Sequence, residues 1–353
     1  MLIDSYGRTL DYLRVSITDR CNLRCVYCMP PDGVEWKPHE SLLSFEELLR
    51  LCQIMAELGI RKIKVSGGEP LVRKGAAFFI KSLKGIPGIA SVTLTTNGLL
   101  LGKYLDEANS LPPDSLPDAV NISLDALDPE LYKKITRSAG PEGTAASGHL
   151  LSDQRGSPPG DVLLQIDRLL EKQINVKINC VPVRGLNESE ILPLLALAKN
   201  MNIAVRFIEL MPLGSAFNYN FISGGEIMAL IEKKFGALEP YSGILGNGPA
   251  KYYSIPGFFG KVGFISPLSH SFCETCNRLR LTSSGLLKLC LGDDTGTDLK
   301  AMLRSGSSSE EISGAIIKAA AGKPCSHKFL ETANLPPADI KKPETGGMFE
   351  TGG

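Results

Sequence analysis

The chain has 353 residues, and its 38 basic and 38 acidic side chains give a formal net charge of zero. This balance provides no global attraction to nucleic acid or to an anionic membrane, so any strongly charged site has to be local. The start of the chain lacks the pattern of a signal peptide, and no apolar run reaches membrane-spanning length. We therefore expect a soluble cytoplasmic protein with neither nucleic-acid nor membrane partners.

Short β-branched runs alternate with helical patterns between residues 11 and 211. The runs are 12–18, 62–66, 91–97, 119–125, 175–181 and 204–210, and the helical candidates are 44–59, 75–84, 99–109, 129–136 with 161–173, and 188–200. Such alternation predicts parallel βα units. Six units are fewer than the eight that close a full barrel. We predict an α/β fold with a partial, laterally open (β/α)6 TIM-like barrel over residues 1–211.

The predicted strands alternate polar and apolar residues instead of being apolar throughout. Successive side chains point to opposite faces of a strand, so one face is polar in all six. The polar phase contains Arg14, Ser16, Lys64, Ser66, Thr93, Thr95, Asn121, Ser123, Lys177, Asn179 and Arg206. An antiparallel sheet with one wet face is the alternative, but hairpin turns are missing and helices intervene. Because four of these positions are Arg or Lys, we predict a barrel interior that binds an anion.

The regular alternation stops after residue 211. Residues 212–337, with helices predicted at 225–235 and 309–321, form a C-terminal α+β region, and 338–353 form a charged, Gly-rich, flexible tail. Residues 138–160 resemble a flexible insertion within the fourth crossover. Long polar insertions in surface crossovers cost little stability, so deletion of 139–158 is expected to leave activity intact.

Three cysteines follow the first predicted strand within eight residues: Cys21, Cys25 and Cys28. Thiolates are soft ligands that select zinc, copper(I) or iron–sulfur centres, and this end of a strand is where βα barrels place their chemistry. We expect the flanking Arg20 and Arg24 to favour the thiolate forms. Three protein ligands on a four-iron cluster leave one iron open for a substrate or cofactor. A zinc site completed by His39 is the alternative.

A second group, Cys273, Cys276 and Cys290, again offers three thiols. Its spacing alone fits a zinc ribbon with His270 as the fourth ligand. Arg278 and Arg280 favour a different role, because arginine grips phosphates bidentately. The remaining cysteines are expected to be small core residues: Cys52, Cys180 and Cys325.

The first cysteine run, with Tyr27 before its last cysteine, resembles the signature of the radical S-adenosylmethionine (radical SAM) enzymes. Further motifs of that pattern close successive predicted strands: GGEP at 67–70, TTNG at 95–98, SLD at 123–125 and ELM at 209–211. The resemblance implies a 4Fe-4S cluster whose open iron binds S-adenosyl-L-methionine, and one-electron cleavage to a 5′-deoxyadenosyl radical. By position, the implied contacts to S-adenosylmethionine are Tyr27, Gly68, Ser123 and Met211.

The second cysteine run is similar to that of the molybdenum cofactor biosynthesis protein A family, the GTP 3′,8-cyclases. Nearly the whole chain outside 138–160 and the last few dozen residues shares this resemblance. It implies a second three-cysteine 4Fe-4S cluster that binds the guanine of GTP. The implied GTP contacts are Arg14, Lys64, Thr95, Lys177, Arg278 and Arg280. Arg206 either joins this phosphate pocket or pairs with a strand-end carboxylate such as Glu209.

The resemblance also implies a reaction and its partners. The reaction is the lyase-type radical cyclisation of GTP to (8S)-3′,8-cyclo-7,8-dihydroguanosine 5′-triphosphate, the first step of molybdenum cofactor biosynthesis. It needs an electron donor or reductase and hands its product to the next enzyme of the pathway; a homodimer is possible. Catalysis would then involve Arg14, Lys64 and Lys177, with a terminal Gly352-Gly353 that reaches back into the active site. A second pair, Gly346-Gly347, and the preceding FET depart from the family pattern.

Two other functions fit parts of the sequence. One is another radical SAM enzyme with an auxiliary cluster, such as a peptide maturase, although such enzymes usually carry more auxiliary cysteines. The other is a non-enzymatic scaffold that binds zinc at both cysteine groups. Iron content and nucleotide dependence distinguish these functions.

Overall fold

A computed structural model describes residues 1–34, 37–109, 111–112, 115–138, 157–293 and 295–329. The strands of the barrel are β1 Tyr12–Ser16, β2 Lys62–Ser66, β3 Ser91–Thr96, β4 Ala119–Ser123, β5 Asn175–Cys180 and β6 Ala204–Ile208. The helices between and after them are α1 Phe45–Glu57, α2 Ala76–Lys84, α3 Leu101–Ala108, α4 Pro129–Thr136, α5 Pro158–Glu171 and α6 Ile191–Asn200. Neighbouring strands from β1 to β6 pair in parallel, which confirms the partial barrel and rules out the antiparallel alternative.

The C-terminal region extends this sheet at both edges. Its elements are α7 Gly224–Phe235, β7 Glu239–Tyr241, β8 Lys251–Ser254, β9 Lys261–Ile265, β10 Arg278–Leu281, β11 Leu286–Lys288, β12 Thr297–Asp298, α8 Leu299–Arg304 and α9 Ser309–Ala321. Strand β10 pairs in parallel with β1, and β9 pairs in parallel with β6. The resulting order is β12-β11-β10-β1-β2-β3-β4-β5-β6-β9-β8-β7.

Several helices begin at a side chain that accepts a hydrogen bond from an amide of their first turn. In α1, the Ser44 hydroxyl accepts from the Glu47 amide at 3.1 Å, while the Glu47 carboxylate accepts from the Ser44 amide at 2.7 Å. The same capping box starts α7 and α9. Helix α1 then buries an apolar face that includes Leu48, Leu51 and Met55. These helices cover the outer face of the sheet, so the polar phase of the strands faces the barrel interior.

Some predicted positions differ from the structure or lie outside the described residues. Helix α5 begins at Pro158, inside the predicted insertion, and residues 139–156 are not described, nor are Gly352 and Gly353. Cys52 and Cys180 are fully buried as expected, whereas Cys325 is exposed because it follows the end of α9 in a surface segment. Among the described residues, no helix is both long and apolar enough to span a membrane.

Candidate active site

The loop that carries the first three cysteines is fixed by backbone hydrogen bonds on two sides. The amides of Arg24 and Val26 donate to the carbonyls of Thr136 and Ile135 at the end of α4, both at 2.9 Å. On the other side, the amide of Gly68 donates to the Thr18 carbonyl at 2.8 Å. The loop is therefore held between α4 and the turn that follows β2.

Two glycines allow the turn after β2 to approach this loop closely. A Cβ atom on Gly67 would lie 2.5 Å from the carbonyl oxygen of Thr18, and one on Gly68 would lie 2.4 Å from that of Arg20. Both neighbours are backbone atoms that cannot move aside without displacing the loop. Only glycine fits here, and its slim backbone also leaves room for a ligand to approach the peptide groups.

Glu69 connects the ends of β2 and β3. Its buried carboxylate accepts hydrogen bonds from the hydroxyl of Thr96 and the amide of Asn97, both at 2.7 Å, and from the amide of Leu71 at 3.0 Å. Burial raises the pKa of this carboxyl to about 7 despite these bonds. The Asn97 side chain in turn donates to Asn22 at 2.7 Å, which connects the end of β3 to the cysteine loop.

The first cavity lies at the carboxyl ends of the barrel strands. Its wall contains the thiols of Cys21, Cys25 and Cys28. The same wall contains the four residues predicted to contact S-adenosylmethionine: Tyr27, Gly68, Ser123 and Met211. Asp125, the last residue of the SLD motif, has no role predicted from the sequence but also lines this cavity. It accepts from the Tyr27 hydroxyl at 2.5 Å and from the Val181 amide at 2.8 Å.

Burial has a larger effect than the flanking arginines on the pKa values of the first three thiols. It raises the pKa of Cys21 and of Cys28 to about 12, and that of Cys25 well above its ordinary value. Arg24 favours the thiolate of Cys21, as expected, but burial outweighs this effect on the pKa. Arg24 donates to the backbone carbonyls of Cys21 and Leu23 at 2.7 and 2.9 Å. An all-sulfur donor set facing one cavity fits a soft metal core, whose binding would displace the thiol protons.

The second cavity lies deeper in the barrel interior and contains the second cysteine group. Its wall includes Cys273, Cys276 and Cys290. Of the residues predicted to contact GTP or its phosphates, those in the wall are Arg14, Lys64, Thr95, Arg206, Arg278 and Arg280. Lys177 is buried but is not part of this wall. Its side chain lies against Gly246, where an added Cβ would be 3.3 Å from Lys177 Cε.

Three cations stand side by side on adjacent strands of the second cavity. Arg14 on β1 is in register with Arg280 on β10 and with Lys64 on β2. Burial, reinforced by the neighbouring cations, lowers the pKa of Lys64 and of Arg280 well below their ordinary values. Like charges on adjacent strands repel one another, so this row fits a multiply charged anion such as a polyphosphate.

Arg206 is held by neutral amides of the barrel interior. Its Nε donates to Asn179 Oδ1 at 2.8 Å, and one terminal nitrogen donates to Asn121 Oδ1 at 2.7 Å. The alternative pairing with Glu209 is wrong, because that carboxylate accepts instead from the amides of Leu268 and Ser269, each at 3.0 Å. Arg206 therefore adds a further positive charge next to the cation row.

Residues that are distant in sequence, His327 and Lys323, change the pKa values of the second cysteine group. Burial raises the pKa of Cys273, but hydrogen bonds with His327 and Ser271 outweigh burial and lower it to about 6. For Cys276, burial again raises the pKa, but the charges of Arg278 and Lys323 prevail and lower it.

Sequence reasoning missed two residues of the second cavity wall, His327 and Lys323. They follow α9, and their proximity to the cysteines depends on how that helix packs. The two histidines considered as zinc ligands, His270 and His39, are exposed and belong to neither cavity wall.

The two cavities are adjacent and share wall residues. Thr95, Asn179, Ile208 and Met211 line both of them. The two cysteine groups therefore face one region of the barrel interior, and Met211 and Thr95 stand at the boundary. Such an arrangement can hold two ligands in contact with each other.

Comparison with known proteins agrees with this geometry. Residues 15–198 match the model of the radical SAM superfamily, and residues 203–329 match the model called Molybdenum Cofactor Synthesis C. The GTP 3′,8-cyclase of Petrotoga mobilis is 43% identical over 347 residues, which cover 97% of this chain and 99% of that protein. The GTP 3′,8-cyclase of Desulforamulus reducens is 42% identical and covers 92% of this chain and 95% of its own length.

Solved structures support the fold. The crystal structure of Streptococcus suis SuiB bound to S-adenosylmethionine matches with a TM-score of 0.55 at 14% identity, over 87% of this chain and 68% of SuiB. SuiB bound to precursor peptide SuiA matches with a TM-score of 0.57 at 13% identity, over 96% of this chain and 75% of SuiB. From the curated relatives and the two family models together, this chain belongs to the radical SAM superfamily and, within it, to the GTP 3′,8-cyclase family.

Proposed function

We propose that this chain cyclises GTP between the ribose C3′ and the guanine C8, as its relatives' name, GTP 3′,8-cyclase, describes. The observation that carries the proposal is the adjacency of the two cavities, each with three cysteine thiols, beside a row of phosphate-binding cations. This arrangement suits S-adenosylmethionine in one cavity and a nucleoside triphosphate in the other.

The residues have distinct binding tasks in this proposal. Cys21, Cys25 and Cys28 would hold a 4Fe-4S cluster next to the cavity for S-adenosylmethionine, and the second cysteine group would hold another 4Fe-4S cluster next to the cavity for GTP. When bound, the first cluster and S-adenosylmethionine would supply the radical chemistry needed at the ribose C3′ position. Arg14, Lys64 and Arg280 neutralise the triphosphate, and Arg278 adds a further charge from the same strand as Arg280.

Positioning and exclusion of water are the main contributions of the polypeptide. The reacting atoms have to approach within about 3–3.5 Å, so the binding cavities must meet at the ribose. Thr95 and Met211 stand at that boundary, and Ile208 adds apolar surface there. The buried hydrogen bond between Tyr27 and Asp125 keeps the cysteine loop against the ends of β4 and β5.

Further parts of the proposal concern the partners and the tail. Reductive cleavage needs an external electron donor, and a reactive cyclic nucleotide calls for a following enzyme that converts it. Gly352 and Gly353 are proposed to complete the active site, with Lys177 as an additional phosphate ligand. The peptide in the name of the SuiB structure belongs to that protein, and 13% identity transfers only the fold.

One reaction mixture tests the proposal. Anaerobically reconstituted protein with S-adenosylmethionine and a reductant should release 5′-deoxyadenosine only when GTP is present, and should form a product of the same mass as GTP. With GTP deuterated at C3′, the deuterium should appear in 5′-deoxyadenosine. Formation of 5′-deoxyadenosine that depends on a peptide and ignores GTP would contradict the proposal.

Iron content tests the second cluster separately. Two four-iron clusters predict about eight irons per chain, and a triple Cys273→Ala, Cys276→Ala, Cys290→Ala variant should retain about four. GTP should perturb the spectrum of the wild-type protein and leave that of the variant unchanged. Two zinc ions in place of iron would instead support the scaffold alternative.

A further inference from the structure

A lysine that the family resemblance did not nominate lies between two of the cysteines of the second cavity. The Lys323 ammonium donates to the carbonyl of Arg278 at 2.9 Å and to the carbonyl of Leu289. Arg278 is two residues after Cys276, and Leu289 directly precedes Cys290. One side chain thus joins the start of β10, two residues after Cys276, to the residue that follows β11 and precedes Cys290.

The Lys323 ammonium also faces the second cavity. The residue is 3% exposed, yet it forms part of the cavity wall together with Cys276 and Cys290. A lysine ammonium has three donor hydrogens in a tetrahedral arrangement. The two carbonyls use two of them, and the ammonium lies close enough to Cys276 and Cys290 to interact electrostatically with both thiols.

Arg8, a buried residue near the start of the chain, fixes the segment that carries Lys323 through a set of hydrogen bonds that we call the Arg8 clasp. The Arg8 guanidinium pairs with Asp4 at 2.5 Å and donates to the carbonyl of Pro324 at 2.7 Å. It also donates to the carbonyl of Cys273 at 2.7 Å and to that of Cys325 at 3.1 Å. One guanidinium therefore ties the first cysteine of the group to the segment that holds Lys323.

We propose that Lys323 is a positioning residue of the second cluster, which pins the segments beside Cys276 and Cys290 and places a fixed positive charge beside the iron–sulfur core. The inference rests on the second cluster of the proposed function. A core with three thiolate ligands becomes more negative when it accepts an electron, and nearby charge and hydrogen bonds to sulfur set its potential. The Lys323 ammonium therefore stabilises the reduced core and raises its reduction potential.

A purely structural role predicts different behaviour. If Lys323 served only to satisfy two buried carbonyls, a neutral donor in its place would preserve the site. Lys323→Gln keeps a donor without the charge, and Lys323→Met removes both. Lys318→Met is a matched control, because Lys318 is an exposed lysine on α9, close in sequence.

The test measures both clusters in the full, reconstituted protein. Redox titrations followed by electron paramagnetic resonance would assign one cluster by its response to S-adenosylmethionine and the other by its response to GTP. In Lys323→Gln and Lys323→Met, the midpoint potential of the GTP-responsive cluster should move to more negative values. The S-adenosylmethionine-responsive cluster and the control variant should keep the wild-type potential.

The outcomes separate this inference from the proposed function. Loss of about four irons in Lys323→Met, with the first cluster retained, would also support the pinning role. Unchanged potential and iron content in both Lys323 variants would overturn the inference and leave the proposed function standing. If the wild-type protein itself binds only about four irons, the proposed second cluster fails, whatever Lys323 does.

Discussion

At the scale of single residues, the buried cations of the second cavity set the stability of the fold against the anion binding that we propose. Arg14, Lys64 and Arg280 lie on one face of three adjacent strands, and burial disfavours the charged form of each. Charged groups withdrawn from water cost free energy unless an opposite charge compensates them. Lys64 in particular is therefore expected to be destabilising before an anion binds and stabilising afterwards.

Lys64→Met should therefore raise the stability of the ligand-free protein and weaken GTP binding. The apolar side chain removes a buried cation, so the free energy of unfolding of the ligand-free protein should rise by about 1 kcal/mol in denaturant titrations. The dissociation constant for GTP should rise by about tenfold to a hundredfold, the usual worth of a charge-assisted hydrogen bond. Iron content should stay at the wild-type value, and the exposed Lys103→Met should change none of the three quantities. Loss of iron in Lys64→Met would contradict its assignment to substrate.

If Lys177 contacts a phosphate of GTP, as proposed, it should make GTP binding depend on pH. Burial and the charge of Arg206 lower the pKa of Lys177 to about 8, so the free protein loses this cation as pH rises through 8. A phosphate in contact would raise that pKa, so GTP binding takes up a proton above pH 8. The dissociation constant should therefore increase above pH 8, by at most about tenfold per pH unit.

Calorimetry in buffers of different ionisation enthalpy would measure that proton uptake. Lys177→Arg should bind GTP with a flatter pH profile, because arginine keeps its charge over this range. Lys177→Met should bind more weakly at pH 7 and show no uptake at this site. Equal proton uptake by the wild type and both variants would remove Lys177 from the GTP contacts.

At the scale of secondary structure elements, the sequence signal was clear where strands and helices alternate regularly. The strands β1 to β6 and the helices between them were predicted within a few residues, because each strand has a polar and an apolar face and a helical pattern follows it. Strands β7, β8, β11 and β12 have two to four residues, too few for a period to emerge. Their pairing depends on contacts between segments distant in sequence, as does the arrival of His327 and Lys323 beside the cysteines.

The turn after β2 is an element whose backbone leaves no room for a side chain. Gly68→Ala would place a methyl group 2.4 Å from the Arg20 carbonyl oxygen, so the cysteine loop has to shift. The iron content of Gly68→Ala should fall by about four atoms per chain, and the variant should no longer bind S-adenosylmethionine. Gly314→Ala is the control: its Cβ meets nothing within 4 Å inside α9, and thermal unfolding should show about 1 kcal/mol of added stability. A fully loaded Gly68→Ala would refute the steric argument.

At the scale of the whole molecule, the C-terminal region completes the barrel sheet. Strand β10 covers the free edge of β1, and β9 covers the free edge of β6. In the radical SAM core alone both edges would present unpaired backbone groups, which promote aggregation. The Arg8 clasp adds a further connection, because it ties the start of the chain to the segment after α9. The two regions matched by different family models therefore form one sheet and meet at both cavities.

Two truncations would test this dependence. The fragment 1–211 retains β1 to β6 but exposes both strand edges, so we expect it to aggregate or to lack a cooperative thermal transition by circular dichroism. The fragment 1–329 keeps β1 to β12 and α1 to α9, so we expect it to unfold cooperatively, as we expect of the full chain. It also lacks Gly352 and Gly353, so it should bind both clusters and yet lose turnover if the tail completes the active site. A soluble 1–211 fragment with a cooperative transition would mean that the barrel strands need no C-terminal partners, and the site would then consist of two separable halves.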